Sequence, residues 1–117
     1  MRQNRDKSII KHMLKYCSRK NETVDFFGKN YDVFKDNNTY KDAVALCILQ
    51  IGELSGILTD GFKEKYDRMP WRQIKALRNI VAHHYGTVDP EVLWEIINDD
   101  IPELERYCNM IMDELKE

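Results

Sequence analysis

Residues 70–86 read PWRQIKALRNIVAHHYG and predict one helix with both of its ends marked. Pro70 suits the first helical position, where the missing N–H costs nothing. Gly86 suits the position just past the last turn, where φ often becomes positive. Between these ends the apolar residues recur at helical spacing: Ile74, Leu77 and Val81. The segment is therefore expected to bury one apolar stripe and to keep its polar residues near the surface.

The polar residues near the end of this helix have an informative spacing. Arg78 and Tyr85 are seven residues apart and share a helix face, so the Tyr85 phenol is expected next to Arg78. His83 follows Arg78 by five residues, about 140° around the axis. Arg78 and His83 would converge if the last turn were distorted near Gly86. They would also converge if a second copy of the helix faced the first. The spacing therefore indicates either a frayed helix end or a symmetric dimer.

Length and composition indicate an ordinary globular protein. The 117 residues fit a single helical domain spanning residues 1–117. Hydrophobic residues make up 43% and charged residues 32%, and the scarcity of proline and glycine favours helices. The formal net charge of −2 excludes a global attraction to nucleic acid. Any contact with RNA must therefore come from a local basic patch.

Cysteine usage and the N-terminus favour a cytoplasmic protein. Cys17, Cys47 and Cys108 are odd in number and lie among apolar residues, so buried free thiols are expected. The N-terminal residues are too polar for a signal peptide, and no apolar run approaches the ~20 residues of a membrane span. His12, His83 and His84 form no metal-binding pattern with cysteines or carboxylates, so neither a metal nor a cofactor is expected.

Helical periodicity continues outside residues 70–86. A helix is expected at residues 6–17, with Asp6 as its N-cap, followed by a bend at 18–22 and a short helical turn at 23–31. Residues 40–58 predict a central helix, preceded by capping side chains at 36–38, and a helical turn follows at 62–66. Asp89 and Pro90 predict the start of the last helix, which Pro102 should kink or split. Together these elements predict an all-α antiparallel bundle of about four long helices joined by short helical turns.

Three residues of the central helix are unusual for its apolar surroundings. Gly52 and Gly56 are one turn apart, and each costs about 1 kcal/mol relative to alanine in a helix. Close approach of another backbone would explain both glycines. Glu53 has two possible explanations. It lies on a solvated edge of the helix, or it is a buried carboxylate that pairs with Arg78.

A basic strip follows the helix of residues 70–86 and comprises Arg68, Arg72, Lys75 and Arg78. Such a strip is either a solvated charged face or a phosphate-binding surface. Arg78 is the best anchor, because a guanidinium binds phosphate in bidentate fashion. His83 is either a proton-exchanging group or a histidine that favours a helix C-terminus. Asn79 either orients a ligand or is simply a polar helix position.

The order Arg78-Asn79-x-x-x-His83-x-Tyr85 resembles the Arg-x4-His-x-Tyr signature of the HepT-like toxins, which belong to the HEPN superfamily of metal-independent ribonucleases. Residues 51–53, 69–79 and 88–102 also resemble this family, in the same order along the chain. The resemblance therefore covers nearly the whole chain and implies an HEPN-like helical fold.

The resemblance implies a function for each residue of the signature. RNA supplies its own nucleophile, the 2′-hydroxyl, so a base and a cation suffice for cleavage. His83 would be the base, in preference to His84, and Arg78 the cation, with Asn79 orienting either the phosphate or the histidine. Tyr85 would accept AMP from a cognate minimal nucleotidyltransferase antitoxin, and the toxin would be a homodimer. Another class of function also fits: a non-catalytic helical subunit that binds nucleotide or scaffolds a nucleotidyltransferase.

Overall fold

The computed structural model describes residues 2–116, and the side chains of residues 5–83 and 85–116 within them. The regular elements of this part are all helical: α1 Arg2–Phe27, α2 Tyr31–Asp36, α3 Asn38–Gly56, α4 Asp60–Lys65, α5 Trp71–His84, α6 Pro90–Glu95 and α7 Ile101–Leu115. A 3-10 turn, Tyr85–Thr87, follows α5, and a π-helical segment, Ile96–Asp100, joins α6 to α7. The predicted all-α fold is confirmed.

The long helices form an antiparallel bundle around α3. Helix α3 packs against both α1 and α5, and α7 packs against α1. Asp6 near the start of α1 contacts Thr59 beyond the end of α3, so α1 and α3 run in opposite directions. The largest fully buried side chains come from α1, α2, α3 and the α6–α7 region, and include Met13, Phe34, Tyr40, Ile48, Ile97 and Leu104. Burying each apolar side chain of this size stabilises the fold by about 1.5–3 kcal/mol.

The close approach of α3 and α5 occurs at Gly52. A Cβ placed on Gly52 would overlap the Cβ of Arg78 and lie 3.2 Å from its Cα. The predicted backbone approach is therefore confirmed at this position. It is wrong at Gly56, where a Cβ would meet only the flexible side chain of Lys75, at 3.9 Å.

Both ends of α5 differ from the sequence prediction, the start by one residue and the end in the type of turn. Pro70 precedes the first helical residue, Trp71, instead of occupying that position. Gly86 lies within the 3-10 turn, and among the described glycines only Gly28 has a positive φ. The expected left-handed cap at Gly86 is therefore wrong, because the chain tightens its winding instead of reversing it.

The largest error concerns α1. This helix already includes residues before Asp6 and continues to Phe27, so Asp6 is not its N-cap, and neither the bend at 18–22 nor a separate turn at 23–31 forms. Asp6 is buried and accepts hydrogen bonds from the backbone and hydroxyl of Thr59, at 2.9 and 2.7 Å. Asn21 donates to Glu105 of α7. Such tertiary contacts outweigh the weak helical signal of this polar stretch.

Other expectations are confirmed. Asn37 caps α3 and Asp89 caps α6, with Pro90 as the first residue of α6. The helical ladder changes just before Pro102, since the Ile101 N–H donates to the Ile96 carbonyl across a π-helical turn. The three cysteines are free and buried, as expected: Cys17, Cys47 and Cys108. Within the described residues, no helix is both long and apolar enough to cross a bilayer.

The packing at Gly52 gives a stability prediction with a matched control. Gly52→Ala is expected to destabilise the protein by about 1–3 kcal/mol, the usual cost of forcing an extra carbon into a packed contact. Gly56→Ala adds the same carbon at ordinary van der Waals distance from the flexible Lys75 side chain, and should leave the free energy of unfolding unchanged or slightly increased. Urea unfolding of both variants measures this difference. Equal stability of the two variants would contradict the close approach of α3 and α5.

Candidate functional site

One edge of α5 faces α3, and the polar residues of the signature contact α3 at two separate places. Arg78 lies against Gly52 and forms an ion pair with Glu53. Tyr85, further along, contacts Asp42 in the first half of α3. The residue numbers rise along α5 as they fall along α3, so the two helices are antiparallel.

Two neighbouring side chains hold the guanidinium of Arg78. Its Nε contacts the Oε1 of Glu53, and its Nη1 donates to the Oδ1 of Asn79 at 3.1 Å. The Arg78 side chain is 33% exposed and that of Glu53 55% exposed. Each of the two alternatives for Glu53 is therefore correct in part: the carboxylate is solvated, as in the first, and it pairs with Arg78, as in the second. Ion pairs this exposed contribute about 0–1 kcal/mol, so orientation of Arg78 is the main consequence.

His83 is exposed on another face of α5. The helix stays α-helical through His84, so Arg78 and His83 are about 140° apart around the axis and about 7.5 Å apart along it. The 3-10 winding begins only at Tyr85, after both residues. A distorted last turn therefore does not bring Arg78 and His83 together, and a second copy of the chain is the alternative that stays open. The His84 side chain lies outside the described residues, so the preference for His83 stays a prediction.

Tyr85 is anchored far from Arg78. Its hydroxyl donates a hydrogen bond to the Oδ1 of Asp42, while Arg78 pairs with Glu53. Asp42 and Glu53 are eleven residues apart on one helix, which is about 16 Å along its axis. The prediction that the Tyr85 phenol stands next to Arg78 is therefore wrong. Seven residues share a helix face, but they also separate two side chains by about 10 Å along the axis.

The Asp42 contact makes the Tyr85 phenol hard to ionise. Partial burial is the main cause, because phenolate loses hydration there, and the hydrogen bond to Asp42 and its negative charge add to it. Together they raise the pKa of Tyr85 to about 12. Asp42 was missed from the sequence, since nothing in its local pattern points to a partner 43 residues away.

Two residues of the basic strip line a groove that is also lined by acidic residues. Arg72 and Lys75 are exposed and border a groove of about 750 Å³. The carboxylates that border the same groove are Asp60, Glu64 and Asp67. A smaller cavity of about 240 Å³ lies between Lys75 and Arg78. The two spaces share Lys75 and Gly56 in their walls, so the cavity at Arg78 adjoins the mixed-charge groove.

No group of three or more histidine, cysteine or acidic side chains within the described residues is arranged to hold a metal ion. The chemistry that the signature residues themselves offer is that of a fixed cation, Arg78, and an exposed imidazole, His83. An amide group, Asn79, stands beside the cation.

Comparison with known proteins identifies the class to which this fold and this signature belong. Residues 13–111 match the model of the family described as "Ribonuclease HepT-like". The match covers most of the chain and includes every residue of the signature. The chain therefore belongs to the HepT-like ribonuclease family.

Individual relatives agree with this assignment. "Putative RNase TTE0752" of Caldanaerobacter subterraneus subsp. tengcongensis is 30% identical over 107 residues, covering 92% of this chain and 94% of that protein. "Putative RNase MJ1380" of Methanocaldococcus jannaschii is 30% identical over 92 residues, 78% of this chain and 84% of that protein. "Probable ribonuclease HepT" of Thermococcus cleftensis is 37% identical over 62 residues, 53% of this chain and 56% of that protein. No solved structure matches the chain.

The Tyr85–Asp42 contact gives a prediction about pH. Asp42→Asn removes the negative charge and should lower the pKa of Tyr85 from about 12 towards the ordinary value, although burial will keep part of the shift. Because folding raises this pKa, the associated stability is present below the unfolded value of about 10 and is lost as the pH rises through about 12. NMR titration of ¹³C-labelled tyrosine, with the Tyr85 signal assigned by Tyr85→Phe, measures both variants. An unchanged or higher pKa in Asp42→Asn would contradict the contact.

Proposed function

We propose that this protein is the toxin of a type II toxin–antitoxin pair and acts as a metal-independent endoribonuclease. The observation that carries the proposal is the state of Arg78 and His83 in a member of the HepT-like ribonuclease family. The guanidinium is oriented by two neighbours yet one-third exposed, and the imidazole is exposed on the same helix. These two side chains provide the cation and the proton acceptor that RNA cleavage requires.

The proposed reaction uses the 2′-hydroxyl of RNA as nucleophile. The 2′ oxygen attacks the adjacent phosphorus, and His83 takes its proton. Arg78 binds the non-bridging oxygens as negative charge develops on them, with Asn79 holding the guanidinium in place. The bond to the 5′ oxygen breaks, this oxygen takes up a proton, and the upstream fragment ends in a 2′,3′-cyclic phosphate.

The proposed active unit is a homodimer. Arg78 and His83 of one chain point in directions that differ by about 140°, so a single copy does not aim both at one phosphate. Large apolar side chains are exposed on α3, just beyond its end and on α5: Leu46 is 53% exposed, Ile57 51% and Ile80 37%. A two-fold interface over this surface would bury these side chains and place Arg78 of one copy near His83 of the other.

The groove beside α5 is the proposed path for RNA. Arg72 and Lys75 would bind phosphates on the way to Arg78, since both border the groove that adjoins the Arg78 cavity. The facing carboxylates, Asp60 and Glu64 among them, would repel a phosphate on the opposite wall. The RNA backbone would therefore follow the α5 side of the groove, away from these carboxylates.

Regulation is proposed to act at Tyr85, with a minimal nucleotidyltransferase antitoxin in the cytoplasm as partner. Tyr85 is 37% exposed at the end of α5, two residues after His83. An AMP group on its hydroxyl would add a bulky negative charge at the end of α5 that also carries His83, and would repel the RNA backbone there. Direct competition between the AMP group and RNA for Arg78 is disfavoured, because the Tyr85 and Arg78 side chains lie far apart.

Cleavage of RNA by the purified protein tests the proposal. Activity should persist in EDTA and leave 2′,3′-cyclic phosphate ends. His83→Ala and Arg78→Ala should each reduce cleavage by about 10²- to 10⁴-fold, the usual contribution of a general base or a charge-stabilising group. His12→Ala and Arg106→Ala are the matched controls, since both residues are exposed on other helices, and these variants should cleave normally.

Two results would contradict this function. A requirement for added Mg²⁺ would exclude the metal-independent mechanism, and full activity of His83→Ala would exclude His83 as the base. Absence of any cleavage, together with tight binding to a nucleotidyltransferase, would support the non-catalytic scaffold instead.

A further inference from the structure

We propose that Asp42 is the proton acceptor that makes Tyr85 the nucleophile in nucleotidyl transfer, and that the pocket beside them receives the nucleotide. The inference rests on the proposed function for the identity of the reaction. The contact between the two side chains is independent of it, because the Tyr85 hydroxyl donates directly to the Asp42 carboxylate.

Tyr85 differs from the other tyrosines in both exposure and hydrogen bonding. All six tyrosines have described side chains, and Tyr85 alone among them is exposed. Tyr40 is fully buried and donates to the Gly28 carbonyl at 3.1 Å, and Tyr66 is 4% exposed. Among the contacts of the described residues, Tyr85 is also the one phenol that donates to a carboxylate. A modifying enzyme would therefore find the most exposed phenol of the chain with an acceptor already in contact with its proton.

The phenol needs such an acceptor. The pKa of Tyr85 is raised to about 12, so near neutral pH the hydroxyl keeps its proton and little phenolate is present. A neutral hydroxyl attacks a phosphorus efficiently only if its proton leaves during bond formation. Asp42 is positioned to take that proton, since its Oδ1 already accepts the hydrogen bond.

The step balances with a nucleoside triphosphate as co-reactant. The Tyr85 oxygen attacks the α-phosphorus of ATP held by the antitoxin, and a new oxygen–phosphorus bond forms. The bond between the α-phosphorus and the oxygen bridging to the β-phosphate breaks, and pyrophosphate leaves with the electron pair. The proton of the phenol passes to Asp42 and then to water.

A pocket for the incoming nucleotide opens at the same place. It has a volume of about 470 Å³, within the range of about 300–1,000 Å³ that is typical of small-molecule sites. Its walls include Asn38, Lys41, Gly86, Val88, Pro90 and Leu93. The apolar wall suits a base, and the Lys41 ammonium suits a phosphate. Lys41 donates to the Lys35 carbonyl at 3.0 Å, and an ammonium has two further protons to give.

Chemical acylation of the purified protein tests the role of Asp42 without any antitoxin. N-Acetylimidazole acetylates reactive phenols, and peptide mass spectrometry reports the rate at Tyr85. Asp42→Asn keeps a hydrogen-bond acceptor but cannot take the proton, so acetylation of Tyr85 should slow by about tenfold or more, given the 10²- to 10⁴-fold effects of general bases in enzymes. The rates are compared after correction for the phenolate fraction that the tyrosine titration gives for each variant, because Asp42→Asn also lowers the pKa of Tyr85. Asp42→Glu should recover part of the rate, and Asp113→Asn, an exposed carboxylate at the other end of the chain, should change nothing.

The direction of the change in acetylation rate distinguishes a proton acceptor from a group that only restrains the phenol. If Asp42 only restrains the phenol, Asp42→Asn will free it and acetylation will become faster. An unchanged or faster rate would therefore overturn the inference. The RNA cleavage activity of Asp42→Asn should stay normal, and loss of that activity would overturn the separation between Asp42 and the nuclease residues.

Co-expression with the cognate minimal nucleotidyltransferase tests the reaction itself. Tyr85 of the unchanged protein should carry the AMP adduct, and Asp42→Asn should carry much less after the same time. An adduct that forms equally on both proteins would overturn the role of Asp42 and leave the proposed regulation standing. Absence of an adduct on the unchanged protein would overturn the regulation at Tyr85, and with it this use of Asp42.

Discussion

The contact between the α3 backbone at Gly52 and the stem of Arg78 sets the geometry of the rest of the site. Because Gly52 has no side chain, α5 approaches α3 closely enough for the Arg78 Cβ to occupy that space. The antiparallel register then places Glu53 beside the guanidinium and Asp42 beside the Tyr85 hydroxyl. One close contact therefore fixes two carboxylates against two residues of the family signature, at opposite ends of the same interface.

Much of the fold followed from local signals. The apolar spacing of α5, the capping side chains Asn37 and Asp89, and the proline near the start of α7 all act over a few residues, so the sequence alone reveals them. The continuation of α1 through a polar stretch does not follow from local signals. It depends on partners distant in sequence, such as Thr59 for Asp6 and Glu105 for Asn21.

The sequence likewise predicted part of the candidate site and not the rest. A carboxylate in an apolar stretch of helix, Glu53, suggested Arg78 as its partner, although solvent reaches the carboxylate as well. The family resemblance supplied the rest of the signature. The expected contact between Tyr85 and Arg78 is wrong because a shared helix face does not bring two side chains together. Seven residues also separate them by about 10 Å along the helix axis. Asp42 has no local feature that marks it, and only the packing of α5 on α3 reveals its role.

A mixture of two inactive variants tests most directly whether the catalytic site is shared between two copies of the chain. Arg78→Ala and His83→Ala, unfolded together and refolded as mixed dimers, contain one site in which intact Arg78 of one copy meets intact His83 of the other. The account predicts that this mixture regains RNA cleavage that neither variant shows alone. If mixed dimers form, as mass spectrometry of the native complex would show, and cleavage does not return, the shared site is wrong.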